Sequence, residues 1–241
     1  MPLALRTGSV MAFAAMAPPV SRWMSADELA RLSTMRAQQR AEQFAAGRWL
    51  ARRLLAVTFG GDASEWALSA AEDAPPLATH TSGVVGLPVF VSIAHSGDHL
   101  ACAVSDMPVG VDIEELQPRK HLDTLIEATT TEAERAALPA LLPRSDQRED
   151  ERDSEREEAR MVAFFQLWTL KEAWIKCHGG SLFQTMMGQV VEAVPATLDR
   201  ANGLTWRRKG AVLALAASVP VDEIELPDAT GWRLHARETV D

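Results

Sequence analysis

The stretch Met161–Cys177 constrains the fold more than any other part of the chain. Phe164, Leu167, Leu170, Ala173, Trp174 and Ile175 recur at the spacing of a helix face, and Gly179-Gly180 closes the run. That period suits a helix and defeats a strand, whose faces alternate every second residue. The region 89–114 follows the other rule. Val89-Phe90-Val91-Ser92-Ile93-Ala94 alternates, His95-Ser96-Gly97-Asp98 has turn chemistry, and Leu100–Val104 is a second apolar run. Ser105-Asp106-Met107-Pro108 is another turn, and Val109–Glu114 a third strand. The three strands read as an antiparallel β-meander. A strong helix and a meander in one chain predict an α+β fold.

The remaining segments fill out that class. Ser25–Val57 reads as helical, opened by the capping box Ser25-Ala26-Asp27-Glu28 and ended at Gly60-Gly61-Asp62. Residues 62–88 read as loop with one short strand, and Leu122–Leu138 as helix. The mixed-charge run Arg144–Arg160 reads as a solvated loop or helix extension. Val190–Val194, Leu204–Trp206 and Ala211–Val219 are strand-like. At the N-terminus the apolar stretch Val10–Pro19 has about the length of a signal peptide. Its Pro18-Pro19 pair and the single preceding base, Arg6, favour instead a first strand ending at the prolines. Each half therefore carries a helix followed by short strands. The expectation is two similar subdomains, residues 1–108 and 109–241, each with a small antiparallel sheet and a long helix.

Composition narrows the function. With 241 residues and 47% hydrophobic content the chain can bury a sizeable core. A formal net charge of −9 argues against nucleic acid as the default partner. No run approaches the roughly 20 apolar residues of a membrane span. Two cysteines, Cys102 and Cys177, make neither a disulfide scaffold nor a four-cysteine zinc site, and point to a reducing cytoplasm.

Three carboxylates carry the chemistry. Asp112 and Glu114 sit at i, i+2 on a strand and share a face, while Val111 and Ile113 point to the other. Glu172 lies on the strong helix, four residues from both Trp168 and Lys176. A strand with one solvated face and an ordinary exposed helix pair would give the same patterns. Together they suit a hard divalent cation such as Mg²⁺, held by carboxylates from rigid elements and by phosphate oxygens. Zinc is disfavoured, since no His/Cys cluster has ligand spacing. There is no G-x-x-x-x-G-K-[ST] loop, no G-x-G-x-x-G turn and no G-x-S-x-G elbow.

Three segments, in order, resemble a known family. They are Ile93-Ala94-His95-Ser96-Gly97, Gly110-Val111-Asp112-Ile113-Glu114, and Trp168-Thr169-Leu170-Lys171-Glu172-Ala173-Trp174-Ile175-Lys176. They are similar to the motifs of 4′-phosphopantetheinyl transferases of the larger, single-chain, pseudo-dimeric type. Weaker similarity runs from Arg36 to Leu55, and Gly86-Leu87-Pro88 matches a family segment except at its middle residue. The resemblance implies transfer of 4′-phosphopantetheine from coenzyme A to a serine of an apo acyl or peptidyl carrier protein, with release of adenosine 3′,5′-bisphosphate. It implies Mg²⁺ on Asp112, Glu114 and Glu172, with Glu172 and Lys176 catalytic. His95, Lys171, Lys176, Arg48 and Arg40 would contact coenzyme A, which lies on the side of the N-terminal subdomain. A cytoplasmic monomer is expected. Leu87 replaces a family lysine and Ala94 a family serine. These departures keep open the alternative of a non-catalytic carrier-protein or coenzyme A binding protein on the same fold.

Overall fold

The computed structural model describes residues 2–70, 75–83, 88–141, 152–187, 189–218 and 228–237. The chain opens with strand β1 (Leu3–Ser9), helix α1 (Val10–Met16), α2 (Ala26–Thr34) and α3 (Gln38–Phe59). Two short strands follow, β2 (Trp66–Leu68) and β3 (Ala78–His80), then β4 (Phe90–Ser96), β5 (His99–Ser105) and β6 (Val109–Glu115). Helices α4 (Leu122–Thr129), α5 (Glu132–Ala137), α6 (Arg152–His178) and α7 (Leu182–Met187) come next. The described chain ends with β7 (Val191–Pro195), β8 (Gly203–Arg208), β9 (Ala211–Ala217) and β10 (Thr230–Ala236). The strands form antiparallel sheets in the orders β1-β5-β4, β6-β9-β8-β10-β7 and β2-β3. This is the expected α+β class.

Helix α3 covers one face of the three-stranded sheet, burying Ala46, Leu50, Ala51 and Leu55 against Val91, Leu100, Cys102 and Val104. Gly47 permits the close approach, because a Cβ there would come within 2.9 Å of Ile93. Helix α6 plays the same part for the five-stranded sheet, burying Phe165, Leu167, Leu170 and Ala173 against Val212, Ala214, Ala216 and Leu234. Between the two sheets lies a third cluster, with Ala94, Ala101 and Ala103 meeting Val111, Leu213 and Leu215. Ser25 and Glu28 form the capping box expected of them, and Gly60 ends α3 with φ 91°. Gly179 and Gly180, with φ of 78° and 125°, follow the end of α6. Such backbone is open to glycine at little cost.

Several expectations need correction. The apolar stretch after Ser9 is a helix, not a strand running to Pro18-Pro19. The strand stops at Ser9, whose side chain accepts from Ala12 N and caps α1. The three strands of 89–114 are not one meander. β4 and β5 form a hairpin, whereas β6 leaves it to pair with β9 across the other sheet. Leu122–Leu138 is two helices. Thr131 and Glu134 make a capping box that starts α5 afresh after α4. Of the charge run, residues 152–160 extend α6, with 154–159 facing solvent and Arg160 buried; the preceding part, like Leu87, lies outside the described residues. Strand β10, which the sequence pattern did not single out, sits between β8 and β7.

Candidate active site

The site forms where β6 crosses the C-terminal half of α6, and Gly110 makes the crossing possible. A Cβ at residue 110 would lie 1.9 Å from the Ala173 carbonyl oxygen and 2.7 Å from Cys177 N. Strand backbone thus rests directly on helix backbone. Two residues on, Asp112 faces Lys176, and Lys176 Nζ donates to Asp112 Oδ1 at 2.7 Å. One carboxylate oxygen from each of Asp112, Glu114 and Glu172 falls within 4.8 Å of the others. The i, i+2 spacing on a strand and the i, i+4 spacing on a helix thus converge as the residues foretold.

This cluster is electrostatically unfinished. Asp112 is 4% exposed, and its Oδ2 is buried without a hydrogen-bond partner. Burial raises its pKa, against the pull of Lys176. Glu114 is raised by burial and by the charge of Asp112. Glu172 is raised to about 7, again by burial first and then by Asp112. Three carboxylates that repel one another, with one buried oxygen unpaired, are what a cation would relieve. All the donors are hard oxygens, so the set fits Mg²⁺ or Mn²⁺ and not zinc.

Basic groups border the carboxylates. His95, at the end of β4, has its pKa lowered by burial, then by the nearby Arg40 and Lys176 charges. Arg40 is exposed near the start of α3 and, with Arg31 and Arg36, lines a cavity of about 330 Å³. A larger groove of about 780 Å³ runs along β4 to the end of α6. Phe90, Val91, Ile93, Val109 and Ile175 give it apolar walls, and Lys176 is one of its polar groups.

Two of the expected coenzyme A contacts lie elsewhere. Lys171 is 1% exposed, and its ammonium donates to Thr129 O at 2.7 Å and to Glu134 Oε2 at 2.8 Å. It therefore ties α6 to α5 rather than reaching for phosphate. Residues 171 and 172 differ by roughly 100° around the helix, which sends one inward and the other to the cluster. Arg48 is buried too. Its guanidinium donates to Ser69 O, lies 3.6 Å from Glu28 and stacks over Phe44. Ala94 is 4% exposed in the core between the sheets.

Other residues at the site were not assigned roles by the sequence. Trp168, one helical turn before Glu172, works against the rise in its pKa, a neighbour signalled by the i, i+4 spacing. Ser96 Oγ donates to Glu114 Oε2 at 2.9 Å, and Arg119 approaches the same oxygen at 3.8 Å. Ser96 stood beside His95 in the motif, but nothing local marks which neighbour it meets.

Residues 108–215, which hold every carboxylate of the cluster, match the family model of the 4′-phosphopantetheinyl transferase superfamily. The likeness to that superfamily lies in this segment of the chain. The 4′-phosphopantetheinyl transferase AcpT of Salmonella typhi is 33% identical over 115 residues, covering 47% of this chain and 52% of AcpT. The 4′-phosphopantetheinyl transferase HetI of Nostoc sp. is 29% identical over 160 residues, 66% of this chain and 61% of HetI. The 4′-phosphopantetheinyl transferase psf-1 of Bacillus pumilus is 40% identical over 88 residues, 36% of this chain and 31% of psf-1. The chain spans about half the length of the AcpT proteins it matches. No helix among the described residues is long and apolar enough to cross a membrane.

Proposed function

We propose that this chain transfers the 4′-phosphopantetheine group of coenzyme A to a serine of an apo acyl or peptidyl carrier protein, in a Mg²⁺-dependent reaction that releases adenosine 3′,5′-bisphosphate. The observation that carries the reading is the repelling carboxylate cluster beside Lys176, at the end of a largely apolar groove. In this reading the serine oxygen bonds to the pantetheine-side phosphorus. The pyrophosphate P–O bond breaks, and its electron pair leaves with the adenosine bisphosphate. Asp112, Glu114 and Glu172 would hold the metal, which would supply Lewis-acid stabilisation of the negative charge at the pyrophosphate. Lys176, a third exposed beside the cluster, would present its ammonium to the leaving phosphate. Glu172 is also the carboxylate placed to accept the serine proton, with a basicity that the bound metal would lower below its metal-free value near 7. Arg40 supplies positive charge for the 3′-phosphate, His95 offers a ring N–H to it, and the groove takes the pantetheine arm.

The two sheet-and-helix units correspond, in the same reading, to the pseudo-dimeric halves 1–108 and 109–241. Their seam lies where β4 runs beside β6. The chain acts as a cytoplasmic monomer. Incubation with coenzyme A, Mg²⁺ and a panel of apo carrier proteins, followed by intact-mass analysis, tests the activity. The reading predicts a gain of one phosphopantetheine, abolished by chelation. Coenzyme A binding without transfer to any carrier would overturn it in favour of a binding-only protein.

A further inference from the structure

We propose that Ser96 is a positioning residue that sets the orientation of the Glu114 carboxylate for the cation, so that the N-terminal sheet completes a metal site whose ligands all lie on the other unit. The proposal rests on the metal reading above. Along the seam, β4 and β6 exchange no backbone ladder. Two serines of β4 bridge the gap instead. Ser92 Oγ accepts from Val111 N at 2.9 Å, and Ser96 Oγ accepts from Glu115 N at 3.1 Å. The two serines are thus equivalent struts, four residues apart on each strand. They differ in one respect. Ser96 also donates its own proton to Glu114 Oε2 at 2.9 Å, whereas Ser92 donates to no carboxylate among the described residues.

The backbone next to Ser96 is itself held from behind. Gln43 of α3, 8% exposed, donates to the Gly97 carbonyl at 2.9 Å. Gly97 has φ 56°, and a Cβ there would meet the Glu115 carboxylate at 2.6 Å. The hairpin tip is therefore tied to α3 and lies close against Glu115, which anchors the strand end that carries Ser96. Arg119 reaches the same Glu114 oxygen, but at 3.8 Å and from a half-exposed side chain, so Ser96 is the tighter hold. A hydroxyl committed to one carboxylate oxygen fixes the carboxylate plane. Outer partners of this kind typically change metal affinity by about 10–100-fold when removed.

The test compares two isosteric pairs. Ser96→Thr and Ser96→Val have the same shape and differ in the hydroxyl; Ser92→Thr and Ser92→Val do the same at the twin strut. The probe is Mn²⁺ alone, titrated into the full chain and followed by the loss of the free-ion EPR signal. The expected result is an affinity about 10–100-fold weaker in Ser96→Val than in Ser96→Thr, with the Ser92 pair equal. Equal Mn²⁺ affinity in the Ser96 pair would overturn the proposal while leaving the metal reading intact. An equal loss in both pairs would also overturn it, because the hydroxyls would then serve the seam and not Glu114. Failure of the unaltered chain to bind Mn²⁺ would overturn the metal reading and the proposal together.

Discussion

Lys171 and Glu172 are neighbours on one helix, and the two charged clusters they enter are opposites. Around Lys171 every partner is in place. Glu134, fully buried, receives the Lys171 ammonium, the Thr131 and Glu134 backbone close a capping box, and Glu134 Oε1 accepts from Ala193 N at 2.8 Å. That network joins α5, α6 and β7 with opposite charges matched. Around Glu172 the charges are mismatched, three carboxylates to the ammonium of Lys176 and the more distant, half-exposed guanidinium of Arg119, and Asp112 Oδ2 lacks a partner. Burial without complete pairing costs stability. The first cluster is finished by the protein itself. The second is left for a ligand to finish, which is how structure and site can be told apart when both are made of buried charges.

The comparison is broken most severely at the second cluster. Asp112→Asn or Glu172→Gln is expected to lower transfer to carrier protein by at least about 100-fold, since each removes a charge that holds the metal. The same changes should leave thermal stability in chelator unchanged or higher, because they relieve repulsion. Wild-type rates in either variant would contradict the metal assignment. At the first cluster the signs reverse. Lys171→Met should cost about 3–5 kcal/mol in urea unfolding by leaving Glu134 buried and alone. The double change Lys171→Met, Glu134→Leu should recover part of that loss. A Lys171→Met protein of full stability but impaired coenzyme A binding would show that Lys171 serves phosphate after all.

A pH series sharpens the contrast. Glu172 has a folded pKa of about 7, raised from 4.5, so between those values the folded state holds more protons than the unfolded one. Stability of the metal-free protein therefore falls as pH rises through that window. Asp112 and Glu114, also raised, act in the same direction. His95, lowered, opposes them below its ordinary value. Melting temperatures in chelator should be higher at pH 5.5 than at pH 8 by roughly a few degrees, and Glu172→Gln should shrink the difference. A slope unchanged in Glu172→Gln would show that the cluster does not govern it. The smallest effect is expected far from both clusters. Ser25→Ala removes the α2 cap, at about 1 kcal/mol in urea unfolding, with Mn²⁺ affinity untouched.

What the sequence revealed were the features whose causes are local. The capping box at Ser25 and Glu28, the helix ending at Gly179-Gly180 and the shared face of Asp112 and Glu114 all follow from spacing within one element. What it concealed depends on distant chain. β6 looked like the third strand of a meander because its neighbours in sequence are β4 and β5. Its ladder partner is β9, where Asp112 faces Ala214. Lys171 lay in the same motif as Glu172, and only the arrival of Glu134 and Thr129 from another segment shows that it is structural. Arg48 was hidden in the same way by Glu28 and Ser69. The role of Ser96 required the seam between the sheets.

The most direct test of the account is calorimetric titration of Mn²⁺ into the metal-free protein near pH 7, in two buffers of different ionisation enthalpy. A site completed by a cation predicts one-to-one binding with net proton release, since Glu172 is about half protonated before the metal arrives. Asp112→Asn should abolish that binding. One-to-one binding without proton release, or binding that survives Asp112→Asn, would contradict the claim that this carboxylate cluster is the unfinished half of a metal centre.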